Sequence, residues 1–153
     1  MIPSTTERVA ENTADAVNKQ IRQQTEQRVA SCAAAGGRAI DQRLEELDHE
    51  WDIERTLEAN AASIALLGVT LAATVSRKWL FLPGLVSAFL LQHAVQGWCP
   101  PVPIFRRLGI RTASEINEER SALKALRGDF QNISQTAQSD SIQAQQAVQA
   151  ARR

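Results

Sequence analysis

The chain has 153 residues, with 17 Lys or Arg and 17 Asp or Glu, so its formal net charge is zero. This length is typical of one domain, and a chain with neither a positive balance nor any tyrosine is unlike nucleic-acid-binding proteins, which present a basic face. The two cysteines, Cys32 and Cys99, form neither a disulfide framework nor a zinc spacing, and no cofactor or metal is predicted.

The charges are distributed unevenly along the chain. Residues 1–58 contain seven Lys or Arg and twelve Asp or Glu, residues 106–153 contain eight and five, and residues 59–105 contain only Arg77 and Lys78. Such a charge-free centre between two charged ends is not typical of a soluble globular domain. The first residues lack a basic stretch followed by an apolar one, so we expect no cleavable signal peptide.

Residues 1–37 are predicted to contain a weakly amphipathic helix over 6–35 that ends at Gly36 and Gly37, because paired glycines are unfavourable inside a helix. Its apolar and threonine positions recur every four residues: Val9, Thr13, Val17, Ile21, Thr25 and Val29. A stripe with this repeat drifts around the helix and is too thin for a sturdy core. A surface helix, a self-association helix and partial disorder all fit this pattern.

Residues 38–58 are predicted to form a more strongly amphipathic helix. Ile40, Leu44, Leu47 and Trp51 follow one another at spacings of four, three and four, which is the apolar pattern of a packing helix. Acidic residues occupy the other faces. Association with another helix or with a membrane surface is one interpretation, and a solvated helix covering a core fits equally well.

Residues 59–105 are predicted to form a transmembrane helical hairpin. The uncharged runs 59–76 and 79–105 are separated only by Arg77 and Lys78, and each is close to or above the roughly 20 residues that cross a bilayer. The predicted helices cover about 60–76 and 79–98. The alternative is a buried hairpin in a soluble bundle, but no other segment is apolar enough to cover both helices.

The residues that flank the two spans also favour a membrane. Tryptophan and basic side chains concentrate at membrane interfaces, and basic residues are enriched on the cytoplasmic side. The predicted interface anchors are Trp51, Trp79, Trp98, Arg77, Lys78, Arg106 and Arg107. More positive charge lies outside the hairpin than in its turn, so we expect both termini to be cytoplasmic.

Small residues at four-residue spacing mark helix faces that can approach one another closely, which is how helices associate in lipid. The predicted helix-packing positions are Ala61, Ala65, Gly68, Ala72, Gly84 and Ala88. They predict packing within the hairpin and between copies of the chain, so we expect a homo-oligomer whose other partner is the lipid bilayer.

After the second span, the prolines of the Cys-Pro-Pro segment are predicted to end the helix and to lead the chain out of the membrane in an extended form. Thr112 and Glu115 match a capping box that opens a helix, within a predicted interfacial region of residues 106–130. Gly128 is a suitable stop. Residues 131–153, rich in Gln and Ala, are predicted to be disordered or marginally helical.

The segment GWCPPVPIFRRLGIRT, residues 97–112, together with the preceding two apolar helices, resembles the two-helix inner-membrane domain of YgaP-type proteins, a domain of unknown function. The resemblance covers roughly residues 50–115. It implies a bacterial inner-membrane protein that forms homodimers through its helices. Some members of that family carry a rhodanese domain that handles sulfane sulfur, but this chain has no room for one, so that chemistry is not carried over.

Three residues are candidates for chemistry. Cys99 is the candidate reactive thiol, with a small, partly buried thiol as the favoured interpretation, since the C-terminal end of a helix disfavours an anion. His93 lies in an apolar span with no acid inside either span, so a hydrogen bond to a neighbouring helix or to headgroups is favoured over a proton or metal role. His49 is expected to be a solvated surface histidine.

The sequence therefore predicts an all-α membrane protein, a helical hairpin flanked by amphipathic helices and a polar tail. The favoured function is structural or organisational: self-association through the hairpin and shaping of the membrane, without enzymatic activity and with no catalytic set of residues. One alternative is a membrane-bound sulfur-handling or redox protein that uses Cys99. A second is an oligomeric channel or transporter lined by Gln92, His93 and Gln96.

Overall fold

The computed structural model describes residue 4, residues 6–131 and residues 147–149. The secondary structure in these residues is helical and no strand occurs among them, which confirms the predicted all-α class. The chain divides into two compact units, one formed by Met1–Arg22 and Trp51–Glu115, the other by Gln23–Glu50 and Ile116–Arg153. Most of the predicted Gln/Ala-rich tail lies outside the described residues.

The helices follow one another along the chain with short connections. They are α1 (Arg8–Glu11), α2 (Asp15–Ala35), α3 (Gly37–His49), α4 (Ile53–Thr74), a 3-10 helix (Arg77–Leu80), α5 (Phe81–Gln96), α6 (Val102–Arg107) and α7 (Ala113–Arg127).

Helices α4 and α5 form the helical hairpin of the first unit. The carboxylate of Asp52 accepts a hydrogen bond from the Arg55 amide at 2.8 Å, which caps the start of α4. The 3-10 helix then turns the chain into α5, which ends at Gly97 in a left-handed conformation with φ of 77°. Glycine adopts this conformation without the steric cost of a Cβ.

Two helices are long and apolar enough to cross a membrane. The first span ends at Thr74, and its apolar residues are those of α4. The second span covers Arg77–Gln96, which is the 3-10 helix together with α5. Helix α4 alone has 22 residues, or about 33 Å at 1.5 Å per residue, which is close to the thickness of a hydrocarbon core.

The segment after α5 differs from the prediction. The chain was expected to leave the hairpin in an extended form, but Val102–Arg107 is the short helix α6, preceded by Pro101 as its N-cap. The extended prediction was wrong because proline is disfavoured inside a helix and tolerated in its first turn, where the missing N–H has no intrahelical partner. Gly97 therefore ends α5, and the prolines begin α6.

A small hydrophobic core lies at the base of the hairpin, the end at which α4 begins and α5 ends. Its buried members are Val9, Ile53, Leu57, Cys99 and Val102. Three larger side chains pack against them, namely Phe89, Phe105 and Ile110. The N-terminal segment, the first turns of α4 and helix α6 are thus held together around the point where the chain enters and leaves the hairpin.

The N-terminal segment packs directly on the end of α5. The Asn12 side-chain amide donates a hydrogen bond to the Gln96 carbonyl at 2.9 Å. A Cβ at Gly97 would clash with the Arg8 carbonyl oxygen, so only glycine permits this approach of the two backbones. The predicted continuous helix over 6–35 was wrong for its first part, since residues 12–14 interrupt the helix between α1 and α2.

The second unit contains helix α3 with parts of α2 and α7. Its buried core consists of Ile40, Leu44, Leu47, Ile116 and Leu123. This confirms the predicted apolar stripe of α3 up to Leu47. The predicted helix over 38–58 was wrong in its last part, because α3 ends at His49 and residues 53–58 form the first turns of α4. Trp51 lies between the two helices and is exposed. Gly36, at φ of 89°, separates α2 from α3 at the predicted glycine break.

The second unit also buries an acid that the apolar patterns did not reveal. The Glu119 side chain is fully buried and forms ion pairs with Arg43 at 2.8 Å and with Arg28 at 3.5 Å. Burial by itself lowers the pKa of Arg43, but the hydrogen bond to Glu119 raises it above its usual range. Glu119 is thus buried against two guanidinium groups inside a small core.

Candidate functional site

The hairpin presents large apolar side chains to its surroundings on both helices. Phe81 is 76% exposed, Leu66 69% and Leu91 67%. Further exposed members of this surface are Leu67, Val69, Val75, Leu80, Leu85, Leu90 and Val95. Large apolar patches of this kind mark sites of protein or membrane contact. We call this set of side chains the apolar belt.

The small residues of α4 face α5 inside the hairpin. A Cβ built at Gly68 would lie 2.6 Å from the Pro83 ring and 3.3 Å from the Leu82 Cβ, so the two helices approach closely there. Ala61, Ala65 and Ala72 are half-buried on the same side of α4. These predicted packing positions are therefore used within a single chain.

The small residues of α5 face the other way. Gly84 has open space around its Cα, and Ala88 is exposed. Leu91 and Val95 are exposed at the next positions of the same helical face, since residues spaced four, three and four apart share one side of a helix. These four residues, which we call the α5 seam, are all exposed.

The predicted interface anchors lie at both ends of the hairpin. Trp79, Arg77 and Lys78 are exposed in the turn. At the base, Trp51 is 48% exposed, and the Arg55 guanidinium lies over its ring at 4.2 Å from the centroid. Trp98 is half-buried there, and Arg107 is exposed.

Arg106, also among the predicted anchors, lies in a buried network. It is only 1% exposed, and its two terminal nitrogens bind the Glu115 carboxylate at 2.6 and 2.7 Å. Its remaining N–H groups reach Thr13, Asn18 and the Ile110 carbonyl. All five guanidinium donors are therefore used, which ties the N-terminal segment to α6 and the start of α7.

Glu115 is held in its charged form by this network. Burial by itself raises its pKa, but the hydrogen bonds from Arg106 and from the Thr112 amide outweigh burial and hold the pKa of Glu115 below its usual value. The Thr112 hydroxyl accepts from the Glu115 amide at 3.2 Å, and the Glu115 carboxylate accepts from the Thr112 amide at 2.8 Å. The predicted capping box is confirmed.

His93 is 2% exposed at the base of the hairpin. Its Nε2 lies 2.8 Å from a Glu54 carboxylate oxygen, whose partner oxygen accepts from Arg8 at 2.8 Å. The expectation of a hydrogen bond to a neighbouring helix is confirmed. The sequence did not reveal the partner, because Glu54 precedes the apolar run and lies 39 positions away. No described residue hydrogen-bonds to Nδ1 of His93.

Of the three residues proposed for a pore, His93 lies apart from the other two. Gln92 and Gln96 are at the surface of α5, with their side chains 3.4 Å from each other, whereas His93 points into the base. His49 is exposed, with Nδ1 2.9 Å from the Glu45 carbonyl. The described part of the chain contains no group of three or more His, Cys, Asp or Glu side chains that could hold a metal ion.

Cys99 is 4% exposed and belongs to the apolar core at the base of the hairpin. The sulfur therefore lies among carbon atoms, and burial of this kind disfavours a thiolate. Arg106, the buried arginine of α6, uses all its guanidinium donors on groups other than the thiol. Cys32, the second free cysteine, is half-buried in the second unit.

Comparison of the chain with protein-family models, with curated proteins and with solved structures found no match. The resemblance of residues 50–115 to the YgaP-type domain therefore stays a prediction.

Proposed function

We propose that the protein is an integral membrane protein of structural or organisational role, whose hairpin lies in the bilayer and joins copies of the chain. The apolar belt is the observation that carries this proposal. In a soluble bundle its side chains would be covered by other segments, since burying one Leu or Phe contributes about 1.5–3 kcal/mol. Lipid covers them equally well, and helices satisfy their own backbone groups there.

The two ends of the hairpin support the same placement. Trp79 with Arg77 and Lys78 marks the turn, and Trp51 with its stacked Arg55 marks the base. Aromatic and basic side chains at both ends of an apolar segment are suited to the two headgroup regions. On the sequence resemblance, we assign the protein to a bacterial inner membrane.

Self-association through the α5 seam is inferred from the small residues that are not used in packing within the hairpin. The α4 positions are occupied within the hairpin, whereas Gly84 and Ala88 face outward beside Leu91 and Val95. Close approach of two helices at small residues supplies the van der Waals contact that drives association in lipid. The proposed oligomer therefore joins two copies of α5.

Alkaline carbonate extraction of bacterial membranes, followed by flotation to separate membranes from aggregates, tests the membrane placement. The full-length protein should remain with the membranes. Replacing Leu66 and Val69 together by lysine should remove it from them, because each central lysine costs about 2.5–3.5 kcal/mol on insertion. The same double change at Ser121 and Leu126, exposed positions of α7, is the matched control.

Two results would contradict the placement. The first is release of the wild-type protein into the supernatant. The second is a soluble, monodisperse Leu66→Lys/Val69→Lys variant obtained in higher yield than the wild type, because it would identify the belt as a water-exposed surface of a soluble bundle.

The self-association is tested by cross-linking in native membranes. Gly84→Leu should reduce the dimer several-fold, because the larger side chain separates the two helices at the seam. Ala94→Leu places the same side chain on a different exposed face of α5 and should leave the dimer unchanged. Equal dimer yields from both variants would contradict a contact at the seam.

Of the alternatives, thiol chemistry at Cys99 gains no support from a buried sulfur, and a pore gains none from a His93 that points into the base. Cys99→Ser is accordingly expected to leave membrane insertion and dimer yield unchanged.

A further inference from the structure

A cavity opens between α4 and α5 near the base of the hairpin. Its volume is about 180 Å³. The walls are formed mainly by Leu57, Ile64, Phe89 and Leu90, with Cys99 and Asn60 as polar members. From Leu57 to Ile64 the wall follows α4 for seven residues, or about 10 Å at 1.5 Å per residue.

The composition of the walls selects an apolar occupant. Water is bound in cavities that offer it two to four polar partners, whereas an apolar cavity of about 150 Å³ stays dry and binds benzene. This cavity is of similar size and offers a thiol and one amide. A hydrocarbon group restores the dispersion contacts that its lining lacks when empty.

The opening of the cavity determines where such an occupant comes from. Leu90 lines the cavity and is itself 37% exposed, and the adjacent Leu91 is 67% exposed as part of the apolar belt. The cavity is therefore continuous with the surface that the proposed function places in lipid.

Asn60 adds a specific polar feature. No described residue hydrogen-bonds to its side-chain amide, although the side chain is half-buried beside carbon-lined walls. A carbonyl oxygen of the occupant is a suitable acceptor for this amide. Asn60 lies at the start of the charge-free run, on the base side of the hairpin, where the ester carbonyls of lipids meet the hydrocarbon region.

We propose that this cavity binds one acyl chain of a membrane phospholipid, with the Asn60 amide donating a hydrogen bond to its ester carbonyl. The inference rests on the proposed membrane function, because the lipid enters from the bilayer. It goes beyond general solvation by lipid, since it assigns one chain to one site of defined residues.

Native mass spectrometry of the detergent-solubilised full-length protein tests the site. A bound phospholipid adds its own mass to the chain, and a free fatty acid adds a much smaller one. We expect the wild type to retain one phospholipid per chain. Ala61→Phe fills the cavity and should reduce this fraction at least tenfold, whereas Ala62→Phe points outward and should retain it.

A second variant tests the same site if Ala61→Phe disturbs folding. Asn60→Leu preserves the side-chain volume approximately and removes the donor, and should reduce the bound fraction about two- to tenfold, the loss of one net hydrogen bond. Circular dichroism verifies the helix content of each variant.

Three results would overturn the proposal: no bound lipid in the wild type, equal retention by Ala61→Phe and Ala62→Phe, or an adduct with the mass of a fatty acid alone. Failure of the membrane function is seen separately, as loss of the wild-type protein from carbonate-washed membranes. A chain that stays in those membranes without a retained lipid contradicts the cavity site only.

Discussion

At the scale of single residues, Arg106 joins the N-terminal segment, α6 and the start of α7 through one guanidinium group. Arg106→Met removes one partner of a buried ion pair and leaves the Glu115 carboxylate without its guanidinium. Breaking such a pair costs about 3–5 kcal/mol. The thermal unfolding midpoint in detergent, followed by circular dichroism, should fall sharply.

The neighbouring Arg107 provides the control for Arg106. It belongs to the same short helix and is exposed, so Arg107→Met should change stability by no more than about 0.5 kcal/mol. Similar midpoints for the two variants would show that the network seen around Arg106 does not stabilise the unit.

The low pKa of Glu115 makes stability depend on pH in a defined direction. Because the pKa is lower in the folded than in the unfolded chain, the stabilisation is complete above the unfolded value of about 4.3 and is lost as the pH falls through the folded value. Between pH 7 and pH 3 the unfolding midpoint of the wild type should fall more steeply than that of Glu115→Gln. If the midpoints of the two proteins fell in parallel with pH, Glu115 would not be the cause of the pH dependence.

At the scale of helices, replacing Gly68 or Gly84 by alanine compares the inner side of the hairpin with its outer side. Gly68→Ala places a Cβ 2.6 Å from the Pro83 ring, and overpacking of this kind costs about 1–3 kcal/mol. Gly84→Ala meets open space and gains up to about 1 kcal/mol of helix propensity. The unfolding midpoint should therefore fall for the first variant and stay or rise for the second.

How much of each helix could be predicted depends on how local its signal is. The two apolar helices, the capping box and the break at Gly36 were predictable, because each depends on residues that are adjacent in the sequence. Helix α6 was missed because the prolines were interpreted only as helix breakers. Arg8, Glu54 and His93 come from three segments that are distant in the sequence. Hydrophobic periodicity does not predict contacts between distant segments, so this network was seen only in the structure.

At the scale of the whole hairpin, its two ends differ in chemistry. The base combines the apolar core with the Arg106 and Glu54 networks, each of which joins α4, α5 or α6 to the N-terminal segment. The turn carries only Arg77, Lys78 and Trp79 and has no such partner among the described residues. On the proposed membrane placement, the regions before α4 and after α5 both continue from the base and therefore share one side of the membrane.

This arrangement predicts the labelling pattern of two single-cysteine variants. In a Cys32→Ser/Cys99→Ser background, Lys78→Cys marks the turn and Arg107→Cys marks the base, and both positions are exposed. The basic residues outside the hairpin outnumber those in the turn, which favours a cytoplasmic base. A membrane-impermeant maleimide should therefore label Lys78→Cys in spheroplasts and Arg107→Cys only after lysis. The reverse pattern would invert the orientation, and labelling of both sites before lysis would contradict a hairpin that crosses the bilayer twice.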